Sequence, residues 1–178
     1  MEDGTKWRVR HLEEGDKLES FRCGNPDLDD FLLNDSRLYQ QKLLAATYLL
    51  EVDNNVMAYF SLANDNISIK DFSTLREFNR FRSPRFVNAK RIKTYPAVKI
   101  CRFAVGQEMK RKGIGTILLN MIKKSYIHNQ KSGCRFITVD AYKSAIPFYL
   151  RNGFLPLQQR EDNSGTSLMF YDLMNAIK

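Results

Sequence analysis

The sequence predicts a single mixed α/β domain, with a central sheet of about six to seven strands flanked by about four helices. Three features predict it. A strand-like run over 97–105 is followed by a short basic glycine loop and a stretch with helical periodicity. Two strand-like runs, 47–52 and 56–62, are separated only by Asp53-Asn54-Asn55, so they form a hairpin. Two more runs, 154–157 and 166–171, close the chain around the turn-rich Glu161-Asp162-Asn163-Ser164-Gly165.

The first element is a short strand over Trp7–Leu12. Asn25-Pro26-Asp27 then starts a helix whose apolar face is Leu28, Phe31, Leu32 and Leu38, running to about residue 42. After the first hairpin, Ile67 to Ile69 can extend the sheet, and Phe72 to Phe81 reads as a short helix. Residues 82–93 read as an exposed basic loop containing Ser83-Pro84. Ala97–Val105 is rich in residues that fit a pleated surface. In the next helix, Ile114, Ile117, Leu118, Met121 and Ile122 mark an apolar stripe. Phe136–Asp140 is a further strand. Ser144 can cap a short helix that keeps Pro147 in its first turn and stops at Gly153.

With 178 residues and 43% apolar content, the chain can bury a substantial core. No apolar run is long enough for a transmembrane helix. The first residues, Met-Glu-Asp-Gly-Thr-Lys, contain no signal-peptide core, which makes the cytoplasm the expected location. Cys23, Cys101 and Cys134 suit neither disulfides nor zinc, and with only His11 and His128 no metal site is expected. The cysteines are expected reduced and at least half-buried.

The net charge of +8 is unevenly placed. Residues 13–30 carry seven acids against Lys17 and Arg22. Residues 76–93 carry seven bases against Glu77, and 107–135 another seven against Glu108. A basic half favours a polyanionic partner, while ordinary solubility is the usual reason for a charge run. Arginine and phenylalanine alternate at Phe78, Arg80, Phe81, Arg82, Arg85 and Phe86. That pattern suits looped or single-stranded RNA, with Lys90, Arg91 and Lys93 completing the arm, and it equally describes a surface insertion.

The loop Lys110-Arg111-Lys112-Gly113-Ile114-Gly115 precedes the central helix. The first amides of a helix lack intrahelical partners and the helix dipole makes that end positive, so the loop can cradle a phosphate. It matches neither a P-loop nor a dinucleotide fingerprint, because Leu118 stands where the third glycine of the latter belongs. From spacing alone, a tight turn with a solvated basic face remains an equal alternative.

This loop and the segment Ala145-Ile146-Pro147-Phe148-Tyr149-Leu150-Arg151-Asn152-Gly153-Phe154 resemble the GNAT superfamily of acetyl-CoA-dependent N-acetyltransferases. That family carries Gln/Arg-x-x-Gly-x-Gly/Ala at the first motif and Ala-x-x-Phe-Tyr-x-Lys/Arg-x-Gly-Phe at the second. Lys110 departs from the first pattern. Tyr142 stands where many members have Asn. The resemblance implies a GNAT fold and acetyl-CoA as co-substrate. It implies that the amides of Arg111, Lys112, Gly113, Ile114, Gly115 and Thr116 hold the CoA diphosphate, and that the pantetheine arm runs along Phe103, Ala104 and Val105. The amide near Val105 would polarise the thioester carbonyl and Tyr149 would protonate the departing thiolate. On helical spacing alone, core packing with Ala145 and Phe148 explains Tyr149. Glu51 is a candidate general base, with a solvated strand glutamate as its alternative.

A narrower likeness lies in Phe21–Leu32, in Tyr59-Phe60-Ser61-Leu62, in the strand Pro96–Val105 and in Val139-Asp140-Ala141. These are similar to GNAT toxins of bacterial toxin–antitoxin modules. That likeness implies an aminoacyl-tRNA acceptor, with an antitoxin protein and a second copy of the chain as candidate partners. Acetylation of small-molecule or protein amines is the alternative, and a non-catalytic CoA- or RNA-binding module a third.

Overall fold

The computed structural model describes residues 7–87, 92–128, 132–157 and 165–177. Seven strands form one mixed sheet. They are β1 (Trp7–His11), β2 (Ala46–Val52), β3 (Asn55–Ser68), β4 (Thr94–Val105), β5 (Phe136–Tyr142), β6 (Leu155–Pro156) and β7 (Thr166–Asp172). Their order across the sheet is β1-β2-β3-β4-β5-β7-β6. The helical segments are α1 (Pro26–Asp30), α2 (Ser36–Gln41), α3 (Leu75–Arg82), α4 (Ile114–His128) and α5 (Ile146–Arg151). A π-helical turn, Phe31–Asp35, joins α1 to α2 in one run, which leaves four helices as expected. The predicted mixed α/β class, a central sheet of six to seven strands with about four helices, is therefore the fold observed.

The hairpin β2–β3 pairs Ala46 with Leu62 and Val52 with Asn55. Asp53 and Asn54 both take left-handed backbone, at φ 49° and 64°. That is the turn chemistry whose twist matches two right-twisted strands. β3 runs on to Ser68, and Ile69 opens a 3-10 turn rather than extending the sheet.

Asn25 caps α1, its side-chain oxygen accepting from the amides of Asp27 at 3.0 Å and Leu28 at 3.3 Å. Asn25→Ala should cost about 1 kcal/mol, read as a lower denaturant midpoint at unchanged m-value. Phe31 and Leu32 are both buried, and the Ser36 hydroxyl donates to the Leu32 carbonyl at 2.6 Å. The π turn holds one residue more than an α turn, so it rotates α2 about the helix axis. Leu38, expected on the apolar face, is consequently exposed.

The stripe on α4 is also rotated from its expected position. Ile114, Leu118 and Ile122 are buried, but Ile117 is exposed, and Leu119 and Lys123 are buried instead. Ser144 does not cap α5. It lies in a 3-10 turn, Lys143–Ala145, and Ala145 occupies the cap position without a side-chain bond. None of the three cysteines is in a disulfide; Cys23 is buried and the others are half-buried, as expected.

The chain divides into two compact units. One comprises the described residues up to Ala63 with Ile100–Leu118. Its core includes Leu18, Phe21, Phe31, Leu32, Leu49, Tyr59 and Ala104. The other comprises Asn64–Lys99 and the described residues from Leu119 onward. Its core is aromatic: Phe78, Phe81, Tyr95, Phe136 and Phe170 surround Ile67. Ring pairs such as Phe81–Phe170 at 5.3 Å and Phe86–Tyr95 at 4.0 Å add about 0.5–1.5 kcal/mol each beyond the area they bury.

Candidate active site

In the first unit the features of interest begin where β4 ends. Ala104 is buried and Phe103 and Val105 are half-buried. The chain leaves the strand tied down: the Gly106 amide donates to the Met57 carbonyl at 2.8 Å and the Gln107 amide to the Arg22 carbonyl at 2.9 Å. Those two amides are thus committed to the protein itself. A 3-10 turn, Gln107–Met109, leads to Lys110, Arg111 and Lys112, which are all exposed.

The backbone is left-handed at Arg111 (φ 61°) and again at Gly113 (φ 80°). Glycine takes that conformation without a Cβ penalty, and a Cβ built on Gly113 would meet nothing within 4 Å. The helical ladder of α4 opens with the Ile117 amide donating to the Gly113 carbonyl at 3.1 Å. The amides of Ile114, Gly115 and Thr116 precede that bond and have no carbonyl one turn earlier within the helix. The loop is therefore open, backbone-lined, ringed by three cations and set at the positive end of a 15-residue helix. Its donor set fits a diphosphate. Ile114, buried, anchors it to the core.

In the second unit α5 presents Tyr149, which is 5% exposed. Its placement comes from how the helix stops. Gly153 has φ 81°, its amide donates to the Leu150 carbonyl at 3.0 Å, and the Phe154 amide donates to the Tyr149 carbonyl at 3.0 Å. These two bonds make a Schellman motif, which brings the residue after the glycine onto the helix's last turn. Phe154 accordingly packs edge-on against Tyr149, with ring centroids 5.2 Å apart, and Phe154 in turn meets Tyr171 at 5.5 Å. Lys123 of α4 secures the stop: its amine donates to the Asn152 carbonyl at 2.7 Å and lies 4.0 Å from the centre of the Tyr171 ring. Burial lowers the Lys123 pKa. Burial raises the Tyr149 phenol well above its ordinary value, so it keeps its proton throughout the neutral range.

Glu51 is 12% exposed at its side chain and locked to Arg10, which also grips Asp16 at 2.6 Å. The hydrogen bonds from Arg10 hold the Asp16 carboxyl below its usual range. Glu51 is thus the acid of a structural cluster, neither solvated nor free to serve as a base. Tyr142 is exposed at the end of β5. In the arginine arm, Arg80 and Lys93 are exposed. Arg82 lies 4.9 Å from the Phe78 ring, and Arg85 lies 4.5 Å from Phe81 and 3.6 Å from Asp172. Their alternation with phenylalanine therefore serves cation–π contacts within the unit. Lys90 and Arg91 lie outside the described residues. Lys123 and the committed amides of Gly106 and Gln107 escape sequence reasoning. Only Gly153-Phe154 just after Tyr149 signals the Schellman stop.

No helix among the described residues is long and apolar enough to cross a membrane. None of their His, Cys, Asp and Glu side chains form a group of three that could hold a metal ion.

Residues 81–173 match the family described as "Acetyltransferase (GNAT) domain", more than half of the chain. No curated protein matches it in sequence. Among solved structures it is similar to a bacterial toxin, 17% identical, with a TM-score of 0.76 over 97% of this chain and 93% of that one. It is also similar to a tyrosine-to-phenylalanine mutant of KacT: 20% identical, TM-score 0.73, covering 95% of this chain and 96% of that one. A third is AtaT complexed with acetyl-methionyl-tRNAfMet: 21% identical, TM-score 0.72, covering 97% and 98%. The matched family, the seven-stranded sheet and the glycine loop ahead of α4 agree: the chain belongs to the GNAT acetyltransferase family.

Proposed function

We propose that this chain transfers the acetyl group of acetyl-CoA to the α-amino group of aminoacyl-tRNA. Family membership carries the reaction class, acetyl transfer from acetyl-CoA by an acyltransferase. The observation that supports a cofactor site is the loop itself, with its left-handed turns, three cations and helix amides without intrahelical partners. On this reading the amides of Arg111 to Thr116 hold the diphosphate, and Phe103, Ala104 and Val105 line the pantetheine arm.

Acetyl-CoA supplies an acyl group already activated by a thiol leaving group. The protein must then stabilise negative charge on oxygen and supply a proton to sulfur. On this reading, as the family resemblance implies, the amide near Val105 polarises the thioester carbonyl. Tyr149 is the acid. Its phenol is protonated at neutral pH and its ring is held by the Schellman stop. A Tyr→Phe mutant is among the toxin structures this chain resembles.

The acceptor is supported by likeness and charge. One similar structure, AtaT, is complexed with acetyl-methionyl-tRNAfMet. The net charge of +8 suits a phosphate-rich partner. Another similar structure is a mutant AtaT bound to the C-terminus of its antitoxin AtaR, so an antitoxin partner belongs to the same reading, as does action in the cytoplasm. A homodimer is part of it too.

Small-molecule or protein amines are the second reading, because Arg82 and Arg85 of the proposed RNA arm are used internally. The test is to incubate the protein with acetyl-CoA and bulk aminoacyl-tRNA, then digest the RNA and weigh the aminoacyl-adenosines. The expected product is N-acetylated aminoacyl-adenosine for one or a few amino acids. Acetylation of free amines at the same rate without tRNA would favour the second reading.

A further inference from the structure

β1 heads the order of strands and, among the described residues, pairs with β2 alone. Its other edge is a row of backbone groups, and one bond tells which residues own that row. The Leu12 amide donates to the Thr47 carbonyl at 2.9 Å, and the β1–β2 register runs back from there through Arg10 with Leu49 and Arg8 with Glu51. In an antiparallel ladder every second residue turns its amide and carbonyl to the neighbouring strand, and those between turn theirs away. Trp7, Val9 and His11 therefore aim their amides and carbonyls outward. The His11 carbonyl accepts from the Arg10 side chain at 3.0 Å and keeps a second lone pair. β1 has no proline to blunt this edge.

The side chains of β1 are as unfinished as its backbone. On one face the register lines up His11, Tyr48 and Phe60 across three strands. Their rings stack, 4.2 Å from His11 to Tyr48 and 4.9 Å from Tyr48 to Phe60, and the stack stops at His11, which is exposed. Trp7 stands on the same face of the strand and is 51% exposed. On the other face, Arg10 donates to both the Asp16 and the Glu51 carboxylates. Arg37 donates to the Asp16 carbonyl, and Glu13, Glu14 and Lys17 follow β1, all exposed. Four acids against three bases leave this corner acidic. Arg8, exposed on that same face, takes no part in these bonds.

We propose that two copies of this chain pair through β1, antiparallel and centred on Val9, to make one continuous sheet. The pairing gives the homodimer proposed above its interface and rests on that part of the reading alone. A two-fold axis at Val9 makes the contact self-complementary. Each outward amide and carbonyl then has a counterpart, Trp7 with the partner's His11 and Val9 with the partner's Val9. The partner's Trp7 ring comes opposite His11 and lengthens the aromatic stack. The partner's Arg8 comes opposite Arg10, where the acidic corner receives it. All of these residues lie in the first unit. A five-residue strand makes a small interface, so the dimer Kd is expected in the micromolar range.

The test follows mass by sedimentation velocity from about 1 µM to about 1 mM, beside the emission of Trp7, the single tryptophan of the chain. The parent should pass from monomer to dimer as its emission moves to the blue. Val9→Pro removes an outward amide and leaves the bonds to β2 intact, so it should fold and stay monomeric. Arg8→Glu should raise the dimer Kd about tenfold or more. Val9→Cys sets two thiols across the axis at the roughly 5.5 Å Cα separation of a hydrogen-bonded pair, which suits a disulfide. It should crosslink under mild oxidation that leaves the parent, with its native cysteines, uncrosslinked. The pairing is overturned if Val9→Cys forms no crosslink, or if Arg8→Glu dimerises as the parent does. If Val9→Pro fails to fold, those two variants decide. A folded Val9→Pro that dimerises like the parent puts the contact on another face, so the homodimer stands and the β1 pairing falls. A parent that stays monomeric to about 1 mM overturns both. Neither result touches the acetyltransferase reading, which the acetylation assay decides by itself.

Discussion

Tyr149→Phe is expected to lose roughly 100- to 1,000-fold in kcat while binding acetyl-CoA as the parent does. The substitution removes only the hydroxyl. The ring remains on the last turn of α5 against Phe154, so the thermal midpoint should hardly move. Because the lost interaction belongs to the departing thiolate, kcat and kcat/KM should fall together. The buried phenol's raised pKa adds a pH signature. A tyrosine pKa raised by folding costs stability only as pH climbs above the unfolded value of about 10, and the phenol stays a donor below that. The parent's rate should therefore show no alkaline fall from this residue below about pH 10. Full activity in the variant would leave Tyr149 a packing residue and open the non-catalytic reading.

Gly113→Glu should abolish acetyl-CoA binding in a protein that still folds. A Cβ at Gly113 meets no atom within 4 Å, so the side chain itself has room. The cost is a left-handed backbone for a non-glycine residue, about 1 kcal/mol. The functional effect is far larger, because a carboxylate would sit where the amides and the dipole of α4 favour an anion. For the parent, acetyl-CoA at about 100 times its Kd should add about 2.7 kcal/mol, roughly 5–10 °C in Tm. The variant should show no shift. A variant that shifts as the parent does would remove the diphosphate from this loop.

The elements that repeat a local rule are legible in the sequence. The β2–β3 hairpin announces itself through Asp53-Asn54, and the order strand, glycine loop, helix runs from β4 through Gly113 to α4. Features that depend on distant partners are not. The π turn at Phe31–Asp35 answers to burial of two adjacent apolar residues and breaks the helical period by one residue. Lys123 reads as surface charge because nothing in its own segment reveals the Asn152 carbonyl and Tyr171 ring that receive it. Arg85 reads as an RNA contact, since the carboxylate that draws it inward, Asp172, lies near the far end of the chain.

A helix with a weak start at Ala145 and a firmly tied end at Gly153, as α5 is, is measured from its end. Tyr149 sits four residues before that glycine, and this count, not the helix's total length, sets its bearing. The chain can therefore vary in length between Tyr142 and Ile146 while the phenol keeps its aim. A single residue gained or lost between Tyr149 and Gly153 would swing it by about 100° around the helix axis.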